Sequence, residues 1–218
     1  MRFRNRSDAG HQLAGKLSRY RDETDLLVIG LPRGGVPVAA EIANALGGEL
    51  DVLLVRKLGL PWHRELAAGA IASGGARILN SDVIESSGLS VSQLQSVIES
   101  EQNELERRER LFRGNRPGLR VAGRHVIVVD DGLATGATMT AALTALRSLG
   151  PKRITAAIPV ASTEALERIA AVSDETVCLY IPANLYAVGQ WYEDFDQVED
   201  EEVQRLLAAD QKGPDHAA

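Results

Sequence analysis

The chain has 218 residues, 44% of them hydrophobic and 25% charged, with a formal net charge of −6. That length suits one large domain of an ordinary globular protein, and the negative balance without a basic run argues against a general nucleic-acid or anionic-membrane partner. No apolar run approaches the roughly 20 residues needed to cross a bilayer, and the opening MRFRNRSDAG lacks the apolar stretch of a signal peptide, so a cytoplasmic protein is expected.

Along the chain, Leu13, Leu17 and Tyr20 recur at helical spacing and predict an opening helix over residues 8–21. LLVIG (26–30) is an unbroken apolar run ending in glycine, suited to a strand buried on both faces. LPRGG turns the chain, and Val36, Ala39, Ala40, Ala43 and Leu46 then mark a helix. VLLV (52–55) reads as the next strand, RKLGLPWHRE as a loop, and AGAIAS with RIL as a hairpin beyond it. Residues 90–114 form a long helix, opened by the capping-box spacing of Ser90 and Gln93 and closed by Gly114, its charges forming a solvated face. A strand at 126–129, a helix at about 137–149, the strand RITAAIPV, a helix at about 163–171 and the strand TVCLYI follow. Such alternation predicts an α/β fold, a Rossmann-like, mainly parallel sheet flanked by helices. The single cysteine, Cys178, reads as a small core hydrophobe. Histidines at 11, 63, 125 and 216 show no metal-ligand spacing, so no metal site held by protein alone is expected.

Ligands of such sheets bind beyond the carboxyl ends of the strands, which directs attention to the loops at 30–35, 56–66 and 130–138. In VIVVDDGLATGAT (126–138) the segment Ala134, Thr135, Gly136, Ala137, Thr138 joins a strand to a helix, so main-chain amides and two hydroxyls face one spot, as a phosphate requires. A tight turn with a threonine cap is the plainer reading of that segment alone. Asp130 and Asp131 alter the balance, because ionised carboxylates only accept hydrogen bonds and an adjacent pair matches the two donors of a diol. Paired carboxylates also suit a hard cation. Both uses are compatible if the ligand brings magnesium with it.

The stretch VIVVDDGLATGAT resembles the signature of the type I phosphoribosyltransferases. The resemblance implies that Asp130 and Asp131 hold the ribose hydroxyls of phosphoribosyl pyrophosphate (PRPP) and that residues 134–138 hold its 5-phosphate. Gly132 departs from the aliphatic residue usual in the family. Ala134 stands where members acting on 6-oxopurines tend to carry an aspartate, which points toward the adenine and uracil members. LPRGGVPVA is similar to the family's pyrophosphate loop, with Arg33, Gly34 and Gly35 facing the polyanion and a cis peptide implied at Pro32–Arg33. RKLGLP is similar to the adenine-type strand end, where Lys57, or Arg56 in second place, would approach the pyrophosphate. Residues 57–78 take the place of the mobile lid, with His63 and Glu65 its proton-transfer candidates, Glu65 being assigned to the catalytic set.

A helical insertion is expected at about 80–114 and a hood at about 180–198, within one domain over 1–206, with 207–218 frayed. The hood segment YIPANLYAVGQWYEDF carries five of the nine aromatic residues, which form either a satellite core or a stacking surface for the acceptor through Tyr186, Trp191 and Tyr192. Asp194 and Asp196 are further candidates to reach magnesium. From FRNRSDAG to the hood the chain resembles the stand-alone bacterial members, whose acceptor the sequence does not name. The implied function is transfer of a 5-phosphoribosyl group from PRPP, with Mg2+, to a small-molecule nitrogen acceptor in nucleotide salvage. A PRPP- or nucleotide-sensing regulator on the same fold is the alternative. A phosphoacceptor receiver is discounted, because its acid pair follows the first strand. Family members commonly pair, which leaves a homodimer open.

Overall fold

The computed structural model describes residues 2–21, 23–60, 62–114 and 116–210, with the side chains of residues 63–66 outside that description. Helix α1 (Arg6–Lys16) is capped by Asn5, whose side chain accepts from the Asp8 amide, and it packs on α2 (Gly35–Leu46). Between them runs β1 (Leu26–Gly30), and β2 (Glu49–Val52) follows α2. The region expected to be the lid contains β3 (Val55–Leu60), β4 (His63–Ala72) and β5 (Ala76–Leu79), and the stretch expected to be a helical insertion contains α3 (Ser81–Ser87) and α4 (Val91–Arg113). The chain then alternates through β6 (His125–Val129), α5 (Ala137–Ser148), β7 (Arg153–Val160), α6 (Thr163–Ala170) and β8 (Glu175–Tyr180), and closes with α7 (Asp200–Asp210).

Five strands form one parallel sheet in the order β2-β1-β6-β7-β8. Alternate residues of the central strands face opposite cores: Val28, Ile127 and Val129 meet α1, α2, α4 and α7, while Ile29, Val126 and Val128 meet α5 and α6. Burial on both faces is why β1 and β6 are unbroken apolar runs. The register sets Gly30 beside Val129, so the loops after β1 and β6 leave the sheet side by side.

Two assignments made from the sequence need correction. The second strand is not VLLV: it starts at Glu49 and ends at Val52, and Leu53 and Leu54 only connect it to β3. Its charged residue Asp51 is 3% exposed and is neutralised by Arg113, a partner 62 positions away that no local pattern reveals. RKLGLPWHRE is not a loop either, since β3, β4 and β5 make a three-stranded antiparallel sheet that packs on α5. The hairpin expected from AGAIAS and RIL is its β4–β5 half, with Ala70 opposite Ile78.

Helix α4 has the expected capping box, and its Ile98, Leu105 and Phe112 enter the core. The tail does not fray at 207: Leu207 is 1% exposed and packs inside α7, while residues 211–218 lie outside the description. Cys178, on the edge strand β8, is half-buried rather than fully buried. Its thiol donates to the Tyr180 carbonyl, and burial pushes its pKa up to about 11, so it is no thiolate nucleophile near neutrality.

Candidate active site

The loop after β1 is pressed onto the end of β6. The Leu31 amide donates to the Val129 carbonyl at 2.9 Å, and the Gly35 amide donates to the Leu31 carbonyl at 3.0 Å, which starts α2. The Pro32–Arg33 peptide is cis, as the family resemblance implied. A Cβ on Gly34 would lie 1.9 Å from Oδ2 of Asp131, and one on Gly35 would lie 2.5 Å from the Val129 carbonyl oxygen. Only bare Cα atoms let this loop sit against the two acids.

Those acids are half-buried at the mouth of β6. Oδ1 of Asp130 accepts the Asp131 amide at 2.9 Å, and Oδ2 of Asp131 accepts Nε of Arg6 at 2.8 Å. Burial, and then the neighbouring Asp131 charge, hold Asp130 well above the usual carboxylate range. Burial also raises Asp131, against the pull of Arg6. Two of the four carboxylate oxygens therefore have protein donors, and among the described residues Oδ2 of Asp130 and Oδ1 of Asp131 are left to accept from elsewhere.

Next to the acids, the β6–α5 loop is tied to the β7–α6 connection. The Leu133 amide donates to Val160, the Ser162 amide donates to Leu133, and the Ser162 hydroxyl donates to the Ala134 carbonyl at 2.8 Å. Gly136 caps α5 in the left-handed region, with φ 72°. Ala134, Thr135, Ala137 and Thr138 stay exposed, and the Ala137 amide, the first of α5, donates to Oγ1 of Thr135 at 3.5 Å. The first amides of a helix have no intrahelical acceptor and sit at its positive end, an arrangement that suits an anion.

Gly132 has a structural reason. A Cβ there would lie 2.4 Å from Cγ1 of Val188, a residue of the 181–198 segment that fills the space an aliphatic side chain at 132 would need. Gly132→Ala is expected to cost about 1–3 kcal/mol by overpacking. Adding Val188→Ala should recover part of that cost, and strictly additive losses in chemical denaturation would disprove the contact.

The cations predicted for the pyrophosphate are near the rim but engaged elsewhere. Nη1 of Arg33 faces Glu199 at 3.7 Å and Asp200 at 3.6 Å. Arg56 is paired with Glu101 through Nε at 2.7 Å. Lys57 is exposed on β3, beyond the carboxyl end of β2, and has a polar partner of its own. Both line a groove of about 770 Å³ between β3 and α4, together with Ser96 and Ser100. The side chains of His63 and Glu65 lie outside the described residues.

The model of the phosphoribosyl transferase domain matches residues 3–184. The chain belongs to this family. Two Mycobacterium tuberculosis relatives, provisionally named phosphoribosyl transferases Rv0571c and MT0597, are 44% identical over 205 residues, which is 94% of this chain and 46% of theirs. The chain thus spans about half the length of the curated relatives it matches. The crystal structure of TT1426 from Thermus thermophilus superposes with a TM-score of 0.85 at 44% identity, covering 96% of this chain and 99% of that one. The AQ2163 protein of Aquifex aeolicus, at 11% identity and a TM-score of 0.50 over 84% of this chain and 78% of its own, shares the fold alone.

The aromatic residues of the expected hood, most of which lie beyond the residues that the family matches, divide. Tyr192 is 3% exposed, packs with Phe3 and Phe195, and donates its hydroxyl to the Asp131 carbonyl at 2.6 Å. It is therefore no stacking surface, and its assignment to the acceptor is corrected. Trp191 is half-buried and stacks on Tyr180, while Tyr186 is 82% exposed. Part of the hood is thus the satellite core that was the plainer reading, closed by Phe3 arriving from the N-terminus.

Asp194 and Asp196 line a small cavity beside Arg6, yet among the described residues no three His, Cys, Asp or Glu side chains converge as metal ligands. The residue missed from sequence is Arg6. One signal was present, since a cation in the first turn of a helix opposes the helix dipole and calls for a partner.

Proposed function

We propose that the protein transfers the 5-phosphoribosyl group of PRPP to a nitrogen of a small heterocyclic acceptor and releases pyrophosphate. The observation that carries this reading is the pair of carboxylate oxygens without a donor among the described residues, beside an exposed helix N-terminus, which match the diol and the 5-phosphate of one sugar.

In this reaction the bond from the anomeric carbon to the pyrophosphate oxygen lengthens first, and positive charge develops on the sugar. Asp130 and Asp131 orient the ribose and place negative charge near the developing cation. Residues 134–138 anchor the 5-phosphate, so binding away from the reacting carbon positions that carbon. Arg33, beside Gly34 and Gly35 whose bare Cα atoms leave room for a polyanion, receives the departing pyrophosphate, and the acceptor nitrogen then supplies the electron pair of the new bond. The hard carboxylate oxygens of Asp130 and Asp131 fit a magnesium ion that arrives with the donor. Such an ion would supply positive charge to the pyrophosphate as it leaves.

For this function Arg33 must leave Glu199 and Asp200. Such half-exposed pairs contribute only ~0–1 kcal/mol, so the Glu199→Gln, Asp200→Asn variant should bind PRPP up to about fivefold more tightly. Weaker binding in calorimetry would show that the two acids help the donor rather than compete with it.

The same internal ion pairs favour a second reading, a PRPP- or nucleotide-sensing regulator in which Arg33 and the 181–202 segment move on binding. Pyrophosphate release measured across a panel of bases separates the two. Turnover with any acceptor supports the transferase, and PRPP binding without turnover across the panel supports the sensor.

A further inference from the structure

Arg6 opens α1, where a helix disfavours a cation, and its side chain is only 13% exposed. Its guanidinium is committed to one junction. Nε donates to Oδ2 of Asp131 at 2.8 Å, Nη1 donates to the Asp196 carbonyl at 2.7 Å, and the plane lies 3.9 Å from the centroid of the Phe195 ring. The start of the chain, a rim acid and the 181–198 segment therefore meet at one side chain. A Cβ on Gly34 would collide with the same Asp131 oxygen, and the Tyr192 hydroxyl donates to the Asp131 carbonyl. With Oδ2 engaged by Arg6, Oδ1 is the oxygen of this carboxylate that has no donor among the described residues.

We propose that Arg6 is a positioning residue for sugar recognition: by occupying Oδ2 of Asp131 it aims Oδ1 at one hydroxyl of a vicinal diol, and it makes that aim depend on the docked 181–198 segment. The inference rests on the PRPP reading and deepens it, because it places the choice of ribose over a deoxy sugar partly in a residue outside the rim loops. Arginine suits the task through its planar fork, which serves two acceptors and an aromatic face at once, whereas lysine offers a single point charge.

The test is calorimetric binding of ribose 5-phosphate, its 2-deoxy and 3-deoxy analogues, and inorganic pyrophosphate to the wild-type chain and to Arg6→Gln. The wild type should prefer ribose 5-phosphate over each deoxy analogue by about tenfold or more, the usual worth of a hydrogen bond to a charged group. In Arg6→Gln the preference should fall toward unity for one analogue, while pyrophosphate binding stays within about twofold on the same scale. A merely structural role would weaken all four ligands together and leave the ratios alone. If Arg6→Gln does not fold, Arg6→Lys serves, since it keeps the charge, loses the fork and should show the same fall. Unchanged ratios in a folded variant overturn the inference alone. A wild type with no preference for ribose overturns the PRPP reading, and the inference with it.

Discussion

Asp51→Ala is expected to lower folding stability by about 3–5 kcal/mol, the usual cost of stranding a buried charge. Asp51 accepts two parallel bonds from Arg113, at 3.0 and 2.8 Å, and Arg113 also donates to the Pro117 carbonyl. Arg116 lies beside them, bonded to the Leu50 carbonyl and facing Asp210. The cluster fastens β2, the end of α4 and the end of α7 to one another. Removal of the carboxylate leaves Arg113 almost buried, without a counter-ion. At roughly 2–4 °C per kcal/mol for a domain of this size, the melting temperature should fall by about 6–20 °C. The pair itself need not be worth that much, because apolar residues of similar volume often replace a buried ion pair without loss. Asp51→Leu with Arg113→Met should therefore recover most of the stability. A single-variant loss below ~1 kcal/mol would show that the cluster behaves as a solvated surface pair.

The same cluster shows why β2 was hard to read. Hydrophobic pattern locates strands whose burial is apolar, and β1 and β6 were legible because every residue in them is buried and most are aliphatic. Asp51 is as buried as they are, but its compensation comes from a distant arginine. In β3 and β4 the alternation of a half-buried sheet is interrupted by register shifts on both sides of Gly59, so the sequence looks irregular where the backbone remains paired. Helix α4 could be bounded closely because its cap is local, with both bonds between Ser90 and Gln93.

The candidate site divides along the same line. The acids, the 134–138 loop and the glycines of the β1 loop lie in short contiguous stretches and could be read directly. Arg6 is 125 positions from the acid it holds, so only the fold brings them together. The hood aromatics were legible as a group but not as individuals. Composition cannot tell a ring buried against Phe3, as in Tyr192, from one left in solvent, as in Tyr186.

The Asp130→Asn, Asp131→Asn double variant should lose the stabilisation that PRPP with magnesium gives the wild type, a gain of about 2.7 kcal/mol at 100 times the dissociation constant. Two hydrogen bonds to ionised acceptors are worth about 1.5–3 kcal/mol each. Their loss weakens binding by about a hundredfold or more, so the same donor concentration would then give no more than about 0.4 kcal/mol.

The free protein should respond by different amounts at the two positions. Asp130 has a folded pKa raised above its ordinary value of 3.8, so its ionised form is disfavoured by folding. That penalty is absent below the unfolded value, grows as pH rises and is complete above the folded pKa. Asp130→Asn should therefore melt above the wild type near neutrality, and the difference should vanish in acid. Asp131 is raised by burial as well, so its pH dependence has the same direction, but Asp131→Asn also strips the half-buried Arg6 of its partner and should therefore gain less. Stability given up at Asp130 is the trade expected if that acid is kept for binding. A double variant that still gains the full stabilisation from the donor would show that the sugar is held elsewhere, and the assignment of the acid pair would fall.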